Sequence, residues 1–596
     1  MKFLPTNLEE AKEYYSSFSQ FDVIFVSGDP YYDHPLNGTA LLARLLERKG
    51  YRVGIIPQPY SDEEYRACGR PKYFFCLTSG LLDSMLANYT PMLRPREGVL
   101  LPERALMVYT QKVKFLFPGI MTVLGGVEAT IRRFTHFDYK DNQLRRGILN
   151  DTKADVLFFG NAERSLLELL KRLKDLQEGE NRERENRADE KEIVKFADIK
   201  KNINLQSIDG AAYRVSKEEI EPETRKLPSY EECLTDKANF SLLTRTHYLL
   251  PESSFLEQCG LGWIKHNRPS HPLTEKEMDY LYEVEFIRKL HPATKNLFFQ
   301  EEMVEKLSSS IVLGRGCWGS CNFCIIPLVQ GKEIAKRSKE SILKEMERLY
   351  GQGFNKIQDL TIATLNMYGS SCALYNEEQT ISSPLINGEI TVYNKTKYCN
   401  QQCVGCPQRV LRDDLLPLLE EVEKLQEKHT DLQLELRSAI RHDIILQQKE
   451  LFRKIMMFTS RLKIAPEHIS ETVLQQMNKG KRAEFEEFLV EYKKINEEQD
   501  THKNLVPYFV AAHPGCGVDD MKILRKFCDE KDIFVNLTQV FTPTPGTAST
   551  AAYFTETDTF TKKPVYVART FVEKKLQKNL LLENEDSEVS VDDESG

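Results

Sequence analysis

The apolar residues of this 596-residue chain fall into two stretches of alternating strand and helix, separated by a segment without that rhythm. In residues 1–178, the short apolar run Asp22–Val26 ends at Ser27-Gly28-Asp29, and Tyr51–Pro57, Tyr73–Leu77, Met121–Leu124 and Asp155–Phe159 repeat the pattern. Between the first two runs, Ala40, Leu41, Leu42, Leu45 and Leu46 recur at a helical period, and Gly50 is placed as a C-cap. Strand, helix and strand at this length predict right-handed parallel βαβ units. The fold class is therefore α/β, with an N-terminal doubly wound, Rossmann-type domain over 1–178 whose ligand lies beyond the carboxyl ends of its strands.

Residues 179–192 mix charges without an apolar face and predict a solvated helix extension or linker. The segment to residue 308 reads as a connector. It holds a strand candidate at Tyr213–Val215, a helix over Glu275–Lys289 capped by Thr274, and two histidines, His266 and His271, expected at the surface or in hydrogen bonds. From residue 309 the rhythm returns. Ile311–Leu313, Lys356–Ile362, Leu432–Arg437, Leu462–Ala465, Leu505–Ala511 and Phe534–Val540 predict six parallel units, a partial (β/α)6 TIM-like barrel over 309–560. An insert at 369–409 is too long for a simple βα loop and is placed to cover the barrel mouth. Lys562–Leu582 reads as a helical extension, followed by an acidic tail.

Composition narrows the class. An apolar share of 41% with 29% charge describes a globular, soluble chain. The net charge of −8 is concentrated after Leu582, where seven acidic residues meet no basic one, so the remainder is close to neutral. No basic stripe indicates nucleic acid. No run approaches the ~18 apolar residues of a membrane span, and no apolar signal core follows Met1, so a cytoplasmic, membrane-free protein is expected.

The chemistry gathers where the barrel's first strand ends. Ile311-Val312-Leu313-Gly314-Arg315-Gly316 is followed by Cys317, Cys321 and Cys324, spaced C-x3-C-x2-C with Phe323 before the last. A closed zinc site wants a fourth Cys or His nearby, and none lies between Ile311 and Lys336. Three thiolates can hold three irons of a cubane cluster and leave the fourth open. The same spacing recurs at Cys399, Cys403 and Cys406, with Cys372 upstream. These four would close an auxiliary iron–sulfur cluster or a structural zinc, or remain unmetallated in a long insert. The other six cysteines (Cys68, Cys76, Cys233, Cys259, Cys516, Cys528) are scattered and read as core residues.

The first triad resembles that of radical S-adenosylmethionine (SAM) enzymes, in which the open iron chelates SAM. Asp33-His34-Pro35-Leu36-Asn37-Gly38, Ser79-Gly80-Leu81 and Gly125-Gly126 resemble, in order, the motifs of cobalamin-binding domains, with Pro35 where a cobalt-ligating histidine would stand. With Gly125-Gly126-Val127-Glu128-Ala129, Lys463-Ile464-Ala465-Pro466-Glu467-His468 and His513-Pro514-Gly515, the ordered set resembles the YgiQ-like radical SAM family over most of residues 1–560. The resemblance implies a cobalamin-binding-like domain followed by a radical SAM barrel. The implied cofactors are a [4Fe-4S] cluster on Cys317, Cys321 and Cys324, SAM and a candidate cobalamin.

Candidate SAM contacts are Phe323, Asp359, Ser438, Arg441 and Glu467; candidate cobalamin contacts are Asp33, His34, Gly38, Ser79, Gly125 and Gly126. Where the resemblance expects a Gly-Gly pair after the second barrel strand, Thr361-Ile362-Ala363-Thr364 stands instead. The implied activity is reductive cleavage of SAM to a 5′-deoxyadenosyl radical that attacks an unidentified substrate, with a flavodoxin or ferredoxin as electron donor. The alternatives are a cobalamin-dependent radical SAM methyltransferase and a non-catalytic iron–sulfur redox sensor or scaffold.

Overall fold

The structure is a computed structural model that describes residues 1–185, 202–220, 224–294, 304, 306–397, 399–535 and 538–582. The acidic tail after Leu582 and residues 186–192 of the mixed-charge segment lie outside these residues. In the N-terminal region the apolar runs form β1 (Val23–Ser27), β2 (Val53–Pro57), β3 (Phe74–Thr78), β4 (Met121–Leu124) and β5 (Val156–Phe158). All are parallel, in the order β2-β1-β3-β4-β5. That order reverses direction between β1 and β3, the place where doubly wound sheets hold ligands.

The expected connector continues this sheet. Strands β6 (Ala211–Val215), β7 (Arg225–Lys226), β8 (Phe255–Cys259) and β9 (Gly262–His266) extend it to nine, in the order β5-β6-β9-β8-β7. Sequence patterning misses most of this extension because its inward residues are polar. Glu257, Lys265 and His266 are all buried, which erases the alternation a half-buried strand normally shows. His266 is packed on Phe134, with ring centroids 4.3 Å apart, rather than placed at the surface. The helix Glu163–Glu185 runs from the end of β5 into the mixed-charge segment.

The C-terminal half forms an arc of six parallel stations. Ile311–Val312 pairs with Leu360–Thr361, Lys356–Ile357 with Gln433–Leu434, and Ile440 bridges Ile464. Arg461–Glu467 then pairs with Asn504–Ala511, which pairs with Thr538–Val540. Helices return the chain between stations. One of them, Lys339–Gly351, begins where Ser338 accepts the Ser341 N–H, and it buries Ile342, Glu345, Met346 and Leu349. A glutamate on that face breaks the apolar stripe.

Glu345 closes the junction between the two halves. Its carboxylate accepts Arg288 Nη2 and Arg337 Nη1, both at 2.5 Å, and all three side chains are at most 4% exposed. Arg288 also donates to the carbonyls of Ser308 and Ser310, and Arg337 to that of Val312. The triad thus holds the backbone that enters and forms the first strand of the arc. Removing one partner of a buried ion set leaves uncompensated charge, at a cost of about 3–5 kcal/mol. Glu345→Ala is expected to lose stability of this order, read as a lower denaturant midpoint, whereas exposed Glu340→Ala on the same helix should change little.

Candidate functional site

The first cysteine triad sits at the carboxyl end of the first arc strand, and all three thiols are free. Burial first, then the neighbouring Cys321, pushes the Cys317 thiol up. Burial, Cys321 and Cys317 together push Cys324 up to about 12. Cys317 and Cys324 therefore lie in a low-dielectric setting where charge on the neighbouring Cys321 adds to the cost of ionising either. Two cations offset that cost. Arg441 Nη1 lies 3.5 Å from Cys321 Sγ, while its other nitrogens grip Asp443. Lys479 is buried against Cys321 and Glu467, with Nζ 3.4 Å from Glu467 Oε1. Burial opposes the lysine's charge, and Cys321 and Glu467 outweigh it. Arg441 packs closely on Gly319: a Cβ there would stand 2.8 Å from Nη1 and force the guanidinium end to shift.

Of the candidate SAM contacts, Arg441 and Glu467 stand at the triad, Arg441 directly and Glu467 through Lys479. Asp359 and Ser438 are spent on each other. Asp359 Oδ2 accepts the Ser438 hydroxyl, and Oδ1 accepts the Arg437 and Ser438 N–H groups, tying adjacent strand ends. Phe323, half-buried, packs edge-on to His513 against the main apolar core, 5.9 Å between centroids, with Lys479 Nζ over its ring.

The second cysteine group is placed differently. Cys372 pairs with Arg409 in a short antiparallel ladder, and Arg409 Nη2 donates to Cys403 Sγ at 3.2 Å. Cys399 lies beside Lys395, and the Cys406 N–H donates to the Cys403 carbonyl. Among the described residues no three His, Cys, Asp or Glu side chains are gathered to hold one metal ion. This is as true of Cys317, Cys321 and Cys324 as of the insert cysteines. Trp318 joins the two cysteine segments: it is buried with Met367 and Cys403, and its indole N–H donates to Ser370 Oγ.

Two cavities flank the turn that follows Cys324. The first, about 420 Å³, opens between the carboxyl ends of the parallel strands and the start of the arc. Asp29, Gly80 and Gly125-Gly126 line it from the sheet, and Arg315 and Thr361–Ala363 from the arc. Gly80 has φ +97°, and a Cβ there would fall 2.2 Å from Asp29 Oδ1, so only glycine lets the carboxylate reach the wall. Arg315 crosses the cavity to Glu163 Oε1 at 2.5 Å and Tyr282 OH at 3.0 Å. Glu163 Oε2 has no hydrogen-bond partner among the described residues.

Of the residues assigned to cobalamin, Gly38, Gly125 and Gly126 line this cavity, and Asp33, His34 and Ser79 do not. Asp33 is clamped by Arg44 Nε and Nη2 at 3.1 and 2.8 Å. His34 Nδ1 accepts the Leu36 N–H, and Nε2 faces the Ser308 carbonyl and Arg288. Burial and the Arg288 charge hold its pKa well below the ordinary histidine value. Ser79 donates to the Leu82 carbonyl. Asp33 and His34 thus hold the junction, Ser79 braces a local turn, and Pro35 occupies the cavity wall instead.

The second cavity, about 290 Å³, has Cys321 and Cys324 in its wall, with Arg133, Tyr248, Lys332, Tyr375, Tyr393 and Lys395 around them. Lys332, Arg133, Lys479 and Asp29 escape sequence reading, because none belongs to a spacing motif and each gains its setting only from tertiary contacts. Asp29 alone carried a signal, as the acid directly beyond a strand end.

Burial raises Asp29 to about 6, against the lowering effect of the Leu81 N–H. A raised carboxylate keeps its proton longer in the native state than in the unfolded chain. Its contribution is fully present below about pH 4 and is lost as pH rises through about 6. Asp29→Asn should remove that loss, so the stability difference between variant and wild type should grow in the variant's favour from pH 4 to 6 and then level. Paired denaturation curves across this range measure it.

A family model described as radical SAM N-terminal matches residues 3–306. The UPF0313 protein MJ1155 of Methanocaldococcus jannaschii is 34% identical over 98% of this chain and 92% of its own length. The UPF0313 protein GSU2873 of Geobacter sulfurreducens is also 34% identical, over 98% of this chain and 92% of its own. Among solved structures, the chain is similar to the radical SAM methyltransferase TsrM from Kitasatospora setae with cobalamin and a [4Fe-4S] cluster bound. The TM-score is 0.49 at 12% identity, over 87% of this chain and 75% of that one.

Proposed function

Because this chain belongs to the UPF0313 family of radical SAM proteins, we propose that it is a radical SAM enzyme whose [4Fe-4S] cluster is held by Cys317, Cys321 and Cys324. The observation that carries the reading is a C-x3-C-x2-C loop at the end of the first arc strand, with its three thiols free and half-buried and with Arg441 and Lys479 beside Cys321. The donor set fits: three thiolates leave one iron without a protein ligand, and two cations offset their charge. When bound, the cluster supplies the electron for reductive cleavage of SAM to methionine and a 5′-deoxyadenosyl radical. The protein's part is to orient and to exclude water. Asp443 fixes the guanidinium of Arg441 against Cys321, and Lys479 holds Glu467 at the same rim. Arg441 and Glu467 are the side chains left to meet SAM, since Asp359 and Ser438 brace the strand ends.

A second reading, cobalamin-dependent methyl transfer, is favoured by the first cavity. It lies at the strand-order reversal, is walled by glycines on the sheet side, and reaches Thr361–Ala363 on the arc. A corrinoid there would take no ligand from His34, which is committed to the junction.

Anaerobic reconstitution tests both readings. The full chain with iron, sulfide and a reductant should form 5′-deoxyadenosine only when SAM is present, and Cys321→Ala should abolish it. The EPR signal of the reduced cluster should change on adding SAM. A cluster whose spectrum ignores SAM, with no nucleoside product, returns the protein to the redox-sensor or scaffold reading. Cobalt in the purified protein decides the second reading.

A further inference from the structure

The second cavity has more cationic than anionic side chains on its wall. Its charged lining is Arg133, Arg268, Lys332 and Lys395 against Glu252 and Glu333. The two acids are engaged: Glu333 is held by both terminal nitrogens of Arg409, and Glu252 accepts the Tyr375 hydroxyl. Arg268 is paired with Asp209 at 2.9 Å. Arg133, Lys332 and Lys395 have no carboxylate oxygen within 4.0 Å among the described residues. The hydrogen-bond partner of Lys332 is the neutral Gln401 side chain at 3.2 Å, and Arg133 Nε has none. His271, also on the wall, leaves Nε2 without a partner.

Burial strips hydration from Lys332 and Arg133, and Lys395 and Arg409 repel Lys332, so the arrangement favours an anion as its missing member. The remaining wall is aromatic: Phe159, Tyr248, Phe255, Tyr375 and Tyr393. Such a lining takes a flat apolar body, while a few convergent polar groups fix its orientation.

We propose that this cavity is the substrate site, and that it binds a small ring-bearing molecule through an oxyanion, a phosphate or a carboxylate, held by Lys332, Lys395 and Arg133. The proposal rests on the radical SAM reading for calling the occupant a substrate, because Cys321 and Cys324 form one wall. The oxyanion is gripped at the Lys332 side, and the ring lies along the tyrosines toward the cysteine loop. Burial supports this assignment by lowering Lys332 to about 8, the cost that a bound anion would relieve. At pH 7.5 such an amine is in its reactive neutral form on the order of a hundredfold more often than an ordinary surface lysine.

Pyridoxal 5′-phosphate is a suitable probe, because it joins an oxyanion and a ring to an aldehyde that reports a neighbouring amine. Its carbonyl condenses with the lysine, releasing water to give an imine, and cyanoborohydride delivers hydride to fix the adduct as a secondary amine. The full chain as purified is labelled at pH 7.5, digested and mapped by mass spectrometry. Lys332 should be modified at least about tenfold more than the median surface lysine, a ratio equivalent to about 1.4 kcal/mol.

Inorganic phosphate and benzoate, added separately, should reduce labelling at Lys332 and leave surface lysines unchanged. The stronger competitor identifies the oxyanion. Lys395→Gln should weaken that protection by about tenfold. If this variant does not fold, the wild-type competition stands alone as the test. Labelling spread evenly over surface lysines, or labelling at Lys332 that neither anion reduces, overturns the proposal. The measurement needs neither cluster nor SAM. Its failure is therefore separate from failure to form 5′-deoxyadenosine, which would overturn the enzymatic reading instead.

Discussion

A single carboxylate, Glu345, sits where the two halves of the protein meet, and much of the architecture is arranged around its charge. Buried between Arg288 and Arg337, it lets two guanidiniums enter the interior with their remaining donors aimed at backbone carbonyls. Those carbonyls belong to the strand that delivers the cysteine loop. Arg288 in turn faces His34, whose neighbour Asp33 holds Arg44 and accepts the Ile287 N–H. A continuous set of buried polar groups thus runs from the first sheet to the root of the cysteine site. Such a network stabilises no more than a well-packed apolar replacement, but it tolerates no missing member. It fixes the approach of one half to the other more closely than apolar packing alone would.

How much of this was legible in the sequence differs between the two halves. The parallel strands β1 to β5 were readable because each is an apolar run ended by small or acidic residues, and the observed boundaries lie within a residue or two of the expected ones. The arc was readable for the same reason. The sheet's extension through β6 to β9 was not. Its buried positions carry Glu257, Lys265 and His266, and a pattern that assigns charged residues to the outside necessarily reads such a strand as loop.

The site shows the same division. The C-x3-C-x2-C spacing identifies ligands that are close in the chain, so local order alone suffices. Lys479 and Arg441 reach those cysteines from more than a hundred residues away, and no spacing encodes that. Asp33 and His34 show the reverse hazard. They occupy a recognisable motif beside a cavity, yet their side chains serve the junction behind it. A motif locates backbone; which way the side chains turn is decided by what else needs burying.

The insert hairpin, Tyr375–Ser383 with Gly388–Lys395, has a consequence for traffic through the molecule. Its base contributes Tyr375, Tyr393 and Lys395 to the second cavity, while at its tip Leu385 is fully buried in the apolar core of the N-terminal sheet. Ser383 beside it donates to Glu277, which also receives Arg164. A strap fastened at the tip cannot swing open as a free flap would. Withdrawing Leu385 alone exposes a side chain whose burial contributes about 1.5–3 kcal/mol, which limits the released form to below about ten per cent. Entry to the cysteine side is therefore tied to the packing of the opposite domain, and whatever loosens the first sheet also unlatches the second cavity.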